Sequence, residues 1–122
     1  MRKPSKPQVR EADIQHYVKA HLELRDWKVI ETHDAWHHPR QDGITDLIAV
    51  KYGFHAWIEC KRPLWHPCPE NVTMSKTEQS ERVFRQDLRD HGATTLLIKS
   101  FDEVEDDIKT LEARAEKYRR FK

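Results

Sequence analysis

The stretch TDLIAVKYGFHAWIECKRP, residues 45 to 63, places three charged side chains within two apolar runs. These runs predict two strands, over residues 45–51 and 55–61. Because side chains alternate along a strand, Glu59 and Lys61 share one face of the second strand and lie roughly 7 Å apart. The third charged group, the carboxylate of Asp46 in the first strand, lies on this face or on the opposite one, depending on the length of the loop between the two strands.

The length of the loop around Gly53 decides where Asp46 lies. A two-residue turn places Asp46 directly opposite Glu59, with Cβ atoms about 5 Å apart. A three-residue loop pairs Asp46 with Cys60 and sends the two carboxylates to opposite faces, whereas a four-residue loop pairs it with Lys61. The tyrosine before the glycine would need a positive φ in the two-residue turn, so both even lengths stay open, and both keep the charges together.

Two carboxylates this close repel each other unless a positive group lies between them. If Lys61 is that group, the charges form a salt-bridge cluster in a structural α/β protein. If the group is a divalent cation, carboxylates and water would hold Mg²⁺ or Mn²⁺. Glu11 lies in the first turn of a predicted helix, at the edge of its buried face, and supplies a third carboxylate. This third ligand favours the metal site.

Periodicity on either side of the hairpin completes the fold. The order of helix, three strands, helix, strand and helix (αβββαβα) predicts an α/β fold with a mixed four-stranded sheet flanked by helices. Gly92 is expected to end the second helix. Outside the hairpin, the predicted elements are a helix from Glu11 to about Leu24, a strand over 27–33, a helix over 76–91, a strand over 94–100 and a helix from near Asp102.

The length and composition indicate one small core. A chain of 122 residues is too short for two sizeable cores, so we expect a single domain over residues 9–122 behind a basic tail, residues 1–8. The net charge of +1 excludes a general attraction to polyanions, although basic residues concentrate at both ends of the chain. Contacts with nucleic acid would therefore have to be local.

The cysteine content and the apolar runs bear on location. Cys60 and Cys68 lack CxxC spacing, so neither a disulfide framework nor a zinc site with His66 is expected. No apolar run is long enough to span a membrane, and no apolar segment typical of a signal peptide follows the basic N-terminus. We therefore expect a cytoplasmic protein without a membrane partner.

The spacing of Asp46 and of Glu59-Cys60-Lys61 follows the pattern D-x(n)-E-x-K. This pattern resembles that of the PD-(D/E)XK nuclease superfamily, and its flanks resemble the virus-type replication-repair nuclease (VRR-NUC) domain. The resemblance covers roughly residues 9 to 108. The segments that carry it are Glu11, GITDLI (43–48), WIECK (57–61) and DLRDHGATTLLI (87–98).

The resemblance implies a restriction-endonuclease-like fold and a metal-dependent DNA endonuclease that hydrolyses phosphodiester bonds, selective for branched, junction or flap DNA. Asp46 and Glu59 would bind Mg²⁺ or Mn²⁺, with Glu11 binding it directly or through water. Lys61 would orient the attacking water or stabilise the pentavalent transition state. Stand-alone relatives imply a homodimer, acting in the cytoplasm or, if phage-encoded, in that of the host.

Two positions depart from the family pattern. Thr45 stands where the family usually has Pro. The family also places a Gln on the helix after the catalytic strand. Counting back from Gly92 puts Glu81 at that position, whereas the nearest Gln is Gln79. The helix wheel favours Glu81 and the family chemistry favours Gln79, so each is a candidate accessory residue.

Three arginines of the second predicted helix fall within about 60° of one another, opposite an apolar side formed by Val83, Phe84 and Leu88. They either hold backbone phosphates or form a solvated stripe. Arg62 and a lysine at the start of the helix are further candidates. The predicted nucleic-acid contacts are Arg62, Lys76, Arg82, Arg85 and Arg89.

The remaining alternatives concern the loop before Asp46 and the function as a whole. His37 and His38 in this loop are either a surface pair or a source of a general base. The alternative function is a non-catalytic nucleic-acid-binding module that keeps the nuclease fold. The intact Asp46, Glu59 and Lys61 argue against it.

Overall fold

A computed structural model of the protein describes residues 9–32, 43–63, 65 and 73–121. The predictions for the basic tail, for His37 and His38, and for His66 with Cys68 lie outside these residues. Among the helices of the described segments, none is long and apolar enough to cross a membrane.

The described segments contain helices and strands in the predicted order. They are α1 (Glu11–Leu24), β1 (Lys28–Glu31), β2 (Leu47–Lys51), β3 (Phe54–Cys60), α2 (Lys76–Asp90), β4 (Thr94–Ile98) and α3 (Phe101–Arg120). The strands form one mixed sheet in the order β1-β2-β3-β4, in which β3 and β4 are parallel and the other pairs are antiparallel. A parallel pair needs a crossover connection, which α2 supplies. The predicted α/β architecture is confirmed.

The β2–β3 hairpin closes with the two-residue turn. Lys51 pairs with Phe54, and Tyr52 (φ 57°) and Gly53 (φ 83°) lie between them. Both φ angles are positive, as a type I′ turn requires. The cationic groups of Lys51 and Arg119 lie 5.3 and 5.0 Å from the centre of the Tyr52 ring. These contacts offset part of the strain of a positive φ at a residue with a side chain.

The register of this hairpin fixes the relation between the two buried carboxylates. Leu47 pairs with Ile58, so the next pair toward the open end is Asp46 and Glu59. The two carboxylates therefore lie directly opposite each other. Of the two even loop lengths that the sequence left open, the four-residue loop is wrong, and the three-residue loop that would separate the carboxylates is excluded.

α1 and α3 cover one face of the sheet and form the core with it. Side chains of β2 and β3 alternate between faces, so Leu47, Ala49, Ala56, Ile58 and Cys60 all point to these helices. Burial of an apolar side chain contributes about 1.5–3 kcal/mol. The helix residues in this core are Ile14, Val18, Leu22, Val104, Ile108, Leu111 and Ala115.

α2 lies on the opposite face of the sheet. Trp57, whose side chain points away from the core, packs edge to face on Phe84, with ring centroids 5.8 Å apart. Val83 is 68% exposed, so the predicted apolar side of α2 is wrong at this residue. Gly92 (φ 85°) follows the end of α2, as predicted.

Gly43 brings the segment before β2 against α2. Its φ is 77°, and a Cβ atom at this position would lie 2.0 Å from the backbone oxygen of Ser80. No side chain fits there unless α2 moves. This contact fixes the position of α2, and of Glu81 on it, relative to Asp46.

Candidate metal centre

Three carboxylates from three elements converge at the open end of the hairpin. Glu11 begins α1, Asp46 precedes β2, and Glu59 is the penultimate residue of β3. One oxygen of each lies within 4.8 Å of the others. Asp46 and Glu59 are buried, whereas Glu11 is exposed. The structure thus brings together the three residues that the sequence proposed as metal ligands.

Hydrogen bonds from two neighbouring strands hold Asp46. The backbone N–H of Cys60 donates to Asp46 Oδ2 at 2.7 Å. From the end of β1, Thr32 donates its hydroxyl to the backbone oxygen of Thr45 at 2.5 Å and its backbone N–H to that of Asp46 at 3.1 Å. Sequence reasoning missed Thr32, because a threonine after a strand carries no sign of its distant partners. Thr45, which replaces the usual Pro, is fully buried.

Glu59 is the most strongly perturbed carboxylate of the site. Burial, together with the charges of Asp46 and Glu81, raises the pKa of Glu59 from 4.5 to about 9. Among the described residues, its Oε2 atom is buried without a hydrogen-bond partner. Burial and the charge of Asp46 also raise the pKa of Glu11. Without a cation, Glu59 holds a proton at neutral pH, which a bound cation would displace.

Lys61 lies between two carboxylates. Its Nζ is 2.6 Å from Glu81 Oε2 and 3.7 Å from Glu59 Oε1, and it lies 5.7 Å from the centre of the Trp65 ring. Burial lowers the pKa of Lys61, but the hydrogen bond to Glu81 and the charges of Glu59 and Glu81 outweigh it, so the net pKa is raised. The ammonium is therefore charged at neutral pH.

The structure brings Glu81, and not Gln79, to the site. The Glu81 carboxylate pairs with Lys61 and is largely buried. Gln79 is exposed, and its Nε2 donates to the backbone oxygen of Met74 at 3.2 Å. A carboxylate therefore occupies the position at which the family pattern places an amide.

The sequence placed Arg85 on an exposed face of α2, where it would hold phosphates or be solvated, and this placement is wrong. This residue is only 9% exposed, and its Nη1 atom lies 3.9 Å from Glu81 Oε2. In the described part of the chain, this Nη1 has no hydrogen-bond partner. Arg85 thus lies beneath Glu81 and not at the surface. The other predicted nucleic-acid contacts, Arg62, Lys76, Arg82 and Arg89, are exposed.

The donor set fits a hard divalent cation. Oxygen atoms of carboxylates are the protein ligands that Mg²⁺ and Mn²⁺ prefer. The unpartnered oxygen of Glu59 and the opposed pair of carboxylates both gain from a positive charge between them. The Cys60 side chain points into the core, where burial raises the pKa of its thiol, so it gives the site no thiolate ligand.

Comparison with known proteins bears on the fold. No protein-family model matches the chain, and no curated protein matches it. A solved structure described as a VRR_NUC domain is similar over 81% of this chain and 94% of its own, with a TM-score of 0.57 and 20% sequence identity. The chain therefore has the VRR-NUC fold, and the resemblance drawn from the sequence is confirmed at the level of the fold.

Proposed function

We propose that this protein is a metal-dependent nuclease that hydrolyses phosphodiester bonds in DNA, with Mg²⁺ or Mn²⁺ as cofactor. The observation that carries the proposal is the convergence of Glu11, Asp46 and Glu59 next to Lys61 on a VRR-NUC fold. Asp46 and Glu59 would hold the cation, and Glu11 would bind it directly or through water. Hydrolysis of a phosphodiester bond needs positive charge beside the phosphate, and the three carboxylates could hold a cation that supplies this charge.

The roles of the residues follow from their positions. A bound divalent cation supplies Lewis acidity to the reacting phosphate. Lys61 supplies a second positive charge, and its ammonium orients the attacking water or stabilises the charge that develops on the phosphate oxygens. Glu81 and the ring of Trp65 restrict the side chain of Lys61, so its Nζ stays beside Glu59.

We propose branched, flapped or junction DNA as the preferred substrate. The exposed basic residues near the site bind phosphates without reading sequence. A homodimer would supply two cuts at a junction, and sedimentation of the protein with and without junction DNA tests this assembly. The residues proposed for these phosphate contacts are Arg62, Lys76, Arg82 and Arg89.

A cleavage assay with a matched pair of lysine variants tests the proposal. Labelled branched, flapped and linear DNA are incubated with Mg²⁺, with Mn²⁺ or with EDTA. We expect cutting that needs the cation and that slows by about 10²-fold or more in Lys61→Ala, because a positive charge that stabilises the transition state is lost. Lys109→Ala, at an exposed position of α3, is expected to cut like the wild type.

The same assay separates the alternatives. Wild-type protein that binds DNA and never cuts it would contradict the nuclease and support a non-catalytic nucleic-acid-binding module. The ion pair of Lys61 with Glu81, at 2.6 Å, favours this second function, since it engages the ammonium that catalysis needs. Neither binding nor cutting would contradict both functions and support a structural α/β protein.

A further inference from the structure

A second concave surface, apart from the metal centre, lies between α2 and β4 in the described part of the chain. It is an open cleft of about 600 Å³, which we name the α2–β4 cleft. Its β4 wall consists of Thr95, Leu96 and Leu97. Its α2 wall includes Arg82, Arg85, Gln86 and Arg89.

Three of the residues that line this cleft are arginines, and none of the lining residues has a carboxylate. Arg82 and Arg89 are exposed, and within the described residues neither pairs with a carboxylate. The guanidinium of Arg89 donates to Gln86 Oε1 at 3.0 Å, which orients it along the wall. Two arginines with free charge on one wall are a suitable partner for an anion.

Arg85 adds a buried charge behind these two residues. Its Nη1 atom is buried without a hydrogen-bond partner among the described residues. The nearby carboxylate of Glu81 lies 3.9 Å from this atom and is engaged more closely by Lys61, at 2.6 Å. A buried cation that is incompletely neutralised raises the affinity of the adjacent surface for anions.

The β4 wall contributes backbone amides. β4 is the last strand of the described sheet, and the backbone oxygen of Ile98 accepts from the backbone N–H of Lys61, directly after β3. In a parallel pair, alternate residues direct both backbone groups to the same neighbour, so Leu96 also faces β3 while Thr95 and Leu97 face away. The cleft touches all three consecutive residues, so it runs along the edge of β4 that pairs with no other strand among the described residues.

The position of the cleft relative to the metal centre is set by α2. Glu81 contacts Lys61 at the site. Arg82 and Arg89 lie one and eight residues further along the helix, about 1.5 and 12 Å away, so the middle of this wall is about 7 Å from Glu81 and its far end about 12 Å. A DNA strand advances about 3.4 Å per nucleotide along its axis. A strand that leaves the metal centre along α2 therefore reaches the cleft after about two to four nucleotides.

We infer that the α2–β4 cleft is a phosphate subsite that holds a non-reacting phosphate of the DNA backbone, about two to four nucleotides from the bond that is cut. Arg82 and Arg89 bind this phosphate, and the free amides of Thr95 and Leu97 donate to it. Arg85 supplies buried charge without touching it. The inference rests on the proposed function in one respect, namely that the ligand is DNA.

Binding measurements in a Lys61→Ala background, with Mg²⁺ present, test the subsite. The affinity for a fluorescein-labelled flap DNA is measured by anisotropy over a range of salt concentrations. Combining Arg82→Ala with Arg89→Ala is expected to weaken binding about tenfold or more and to lower the salt slope by about 1, because one phosphate contact is lost. Combining Arg114→Ala with Arg120→Ala removes two charges from α3, across the sheet, and is expected to leave the slope near that of the background.

A modified substrate locates the phosphate. An uncharged methylphosphonate at the second to fourth phosphate from the cut is expected to weaken binding to the background protein and to cost the cleft variant nothing further. Equal losses in both proteins, or a cleft variant that binds like the α3 variant, would overturn the inference. The salt-slope comparison measures binding alone, so it decides whether the cleft holds a phosphate even if the wild type never cuts DNA. Failure of the subsite leaves the proposed nuclease standing.

Discussion

Glu59 occupies a position that disfavours its own charge. Burial and the nearby carboxylates raise its pKa from 4.5 to about 9. Between these two values the folded chain keeps a proton on Glu59 that the unfolded chain has released. The free energy of unfolding therefore falls as pH rises across this window.

We expect Glu59→Gln to flatten this decline, because the amide has no proton to lose. The measurement is the free energy of unfolding in urea, for wild type and variant, at several pH values within the window and without divalent cations. Glu105→Gln, at an exposed position of α3, is expected to keep the wild-type slope. A decline that persists unchanged in Glu59→Gln would show that another group causes it.

The pairing of Lys61 with Glu81 leads to a pH prediction for cleavage. Against the effect of burial, the hydrogen bond and charge of Glu81 help to hold the pKa of Lys61 above its usual value. Glu81→Gln removes the charge, so the pKa falls, and the loss of cleavage at alkaline pH is expected to begin at a lower pH. The measurement is a pH profile of cleavage.

The matched control for this prediction is Gln79→Ala, because Gln79 was the other candidate for the accessory position and lies outside the site. It is expected to keep the wild-type profile. If Gln79→Ala shifts the alkaline limb and Glu81→Gln does not, the assignment of Glu81 to the site is wrong.

Single residues of the site differed in how far the sequence revealed them. Asp46, Glu59 and Lys61 were predicted because strand alternation and a short turn place them on one face. Thr32 was missed because its partners, Thr45 and Asp46, are distant in sequence and are bound through their backbone. Every residue has a backbone oxygen that can accept a hydrogen bond, so the sequence does not show which of them does.

At the scale of elements, α2 shows why a helix wheel can mislead. Its inward side consists of Glu81, Phe84, Arg85 and Leu88, at the spacing i, i+3, i+4 and i+7, and two of these four are charged. A wheel drawn from hydrophobicity counts Val83 as inward and the arginine as outward. Glu81 pairs with Lys61, which follows β3 and which the wheel does not contain, and Arg85 in turn lies beside Glu81.

Two glycines with similar backbone angles provide a matched test of the contact between α2 and the segment before β2. Gly43→Ala forces a Cβ atom to 2.0 Å from Ser80, whereas Gly92→Ala meets nothing within 4 Å. We expect Gly92→Ala to cost about 1–2 kcal/mol for the positive φ alone. Gly43→Ala adds an overpacking cost of about 1–3 kcal/mol. Urea unfolding measures both, and equal costs would contradict the contact.

The turn of the hairpin was the weakest point of the sequence prediction, since tyrosine disfavours a positive φ. The contacts that offset this strain involve Arg119, which lies on α3 and far along the chain. Local turn preferences therefore left both the two-residue and the four-residue loop open, and a tertiary contact supports the shorter one. The two-residue turn that this contact supports is the one that places the two carboxylates opposite each other.

On the scale of the whole molecule, a cation that binds only the folded chain must stabilise it. We expect Mg²⁺ or Mn²⁺ to raise the melting temperature, with a gain of about 2.7 kcal/mol at a concentration one hundred times the Kd. Asp46→Asn removes a proposed ligand and is expected to abolish this gain, while the exposed Asp106→Asn keeps it. Equal gains in both variants would place the cation elsewhere.

The order of elements could be predicted because strands and helices differ in the period at which apolar residues recur. The turn at Gly53 and the crossover at α2 then limit the sheet to few arrangements. The wider site was readable only in part. Glu81 was one of two candidates for the accessory position and Arg85 was placed on an exposed stripe, because the packing of α2 on the sheet decides both positions. Sequence patterns record where a side chain points within its own element. They do not record which other element it meets.

The hydrogen bond from the backbone of Cys60 to Asp46 Oδ2, at 2.7 Å, bears on the choice of ion. Because this hydrogen bond engages one oxygen of Asp46, the other oxygen is the one available to a cation. Binding of a cation through both oxygens, which suits the large coordination shell of Ca²⁺, is therefore disfavoured. Three carboxylates that each give one oxygen fill about half of an octahedral shell. We therefore expect the hairpin to favour a small, strongly hydrated ion, whose exchangeable waters would leave room for an incoming phosphate.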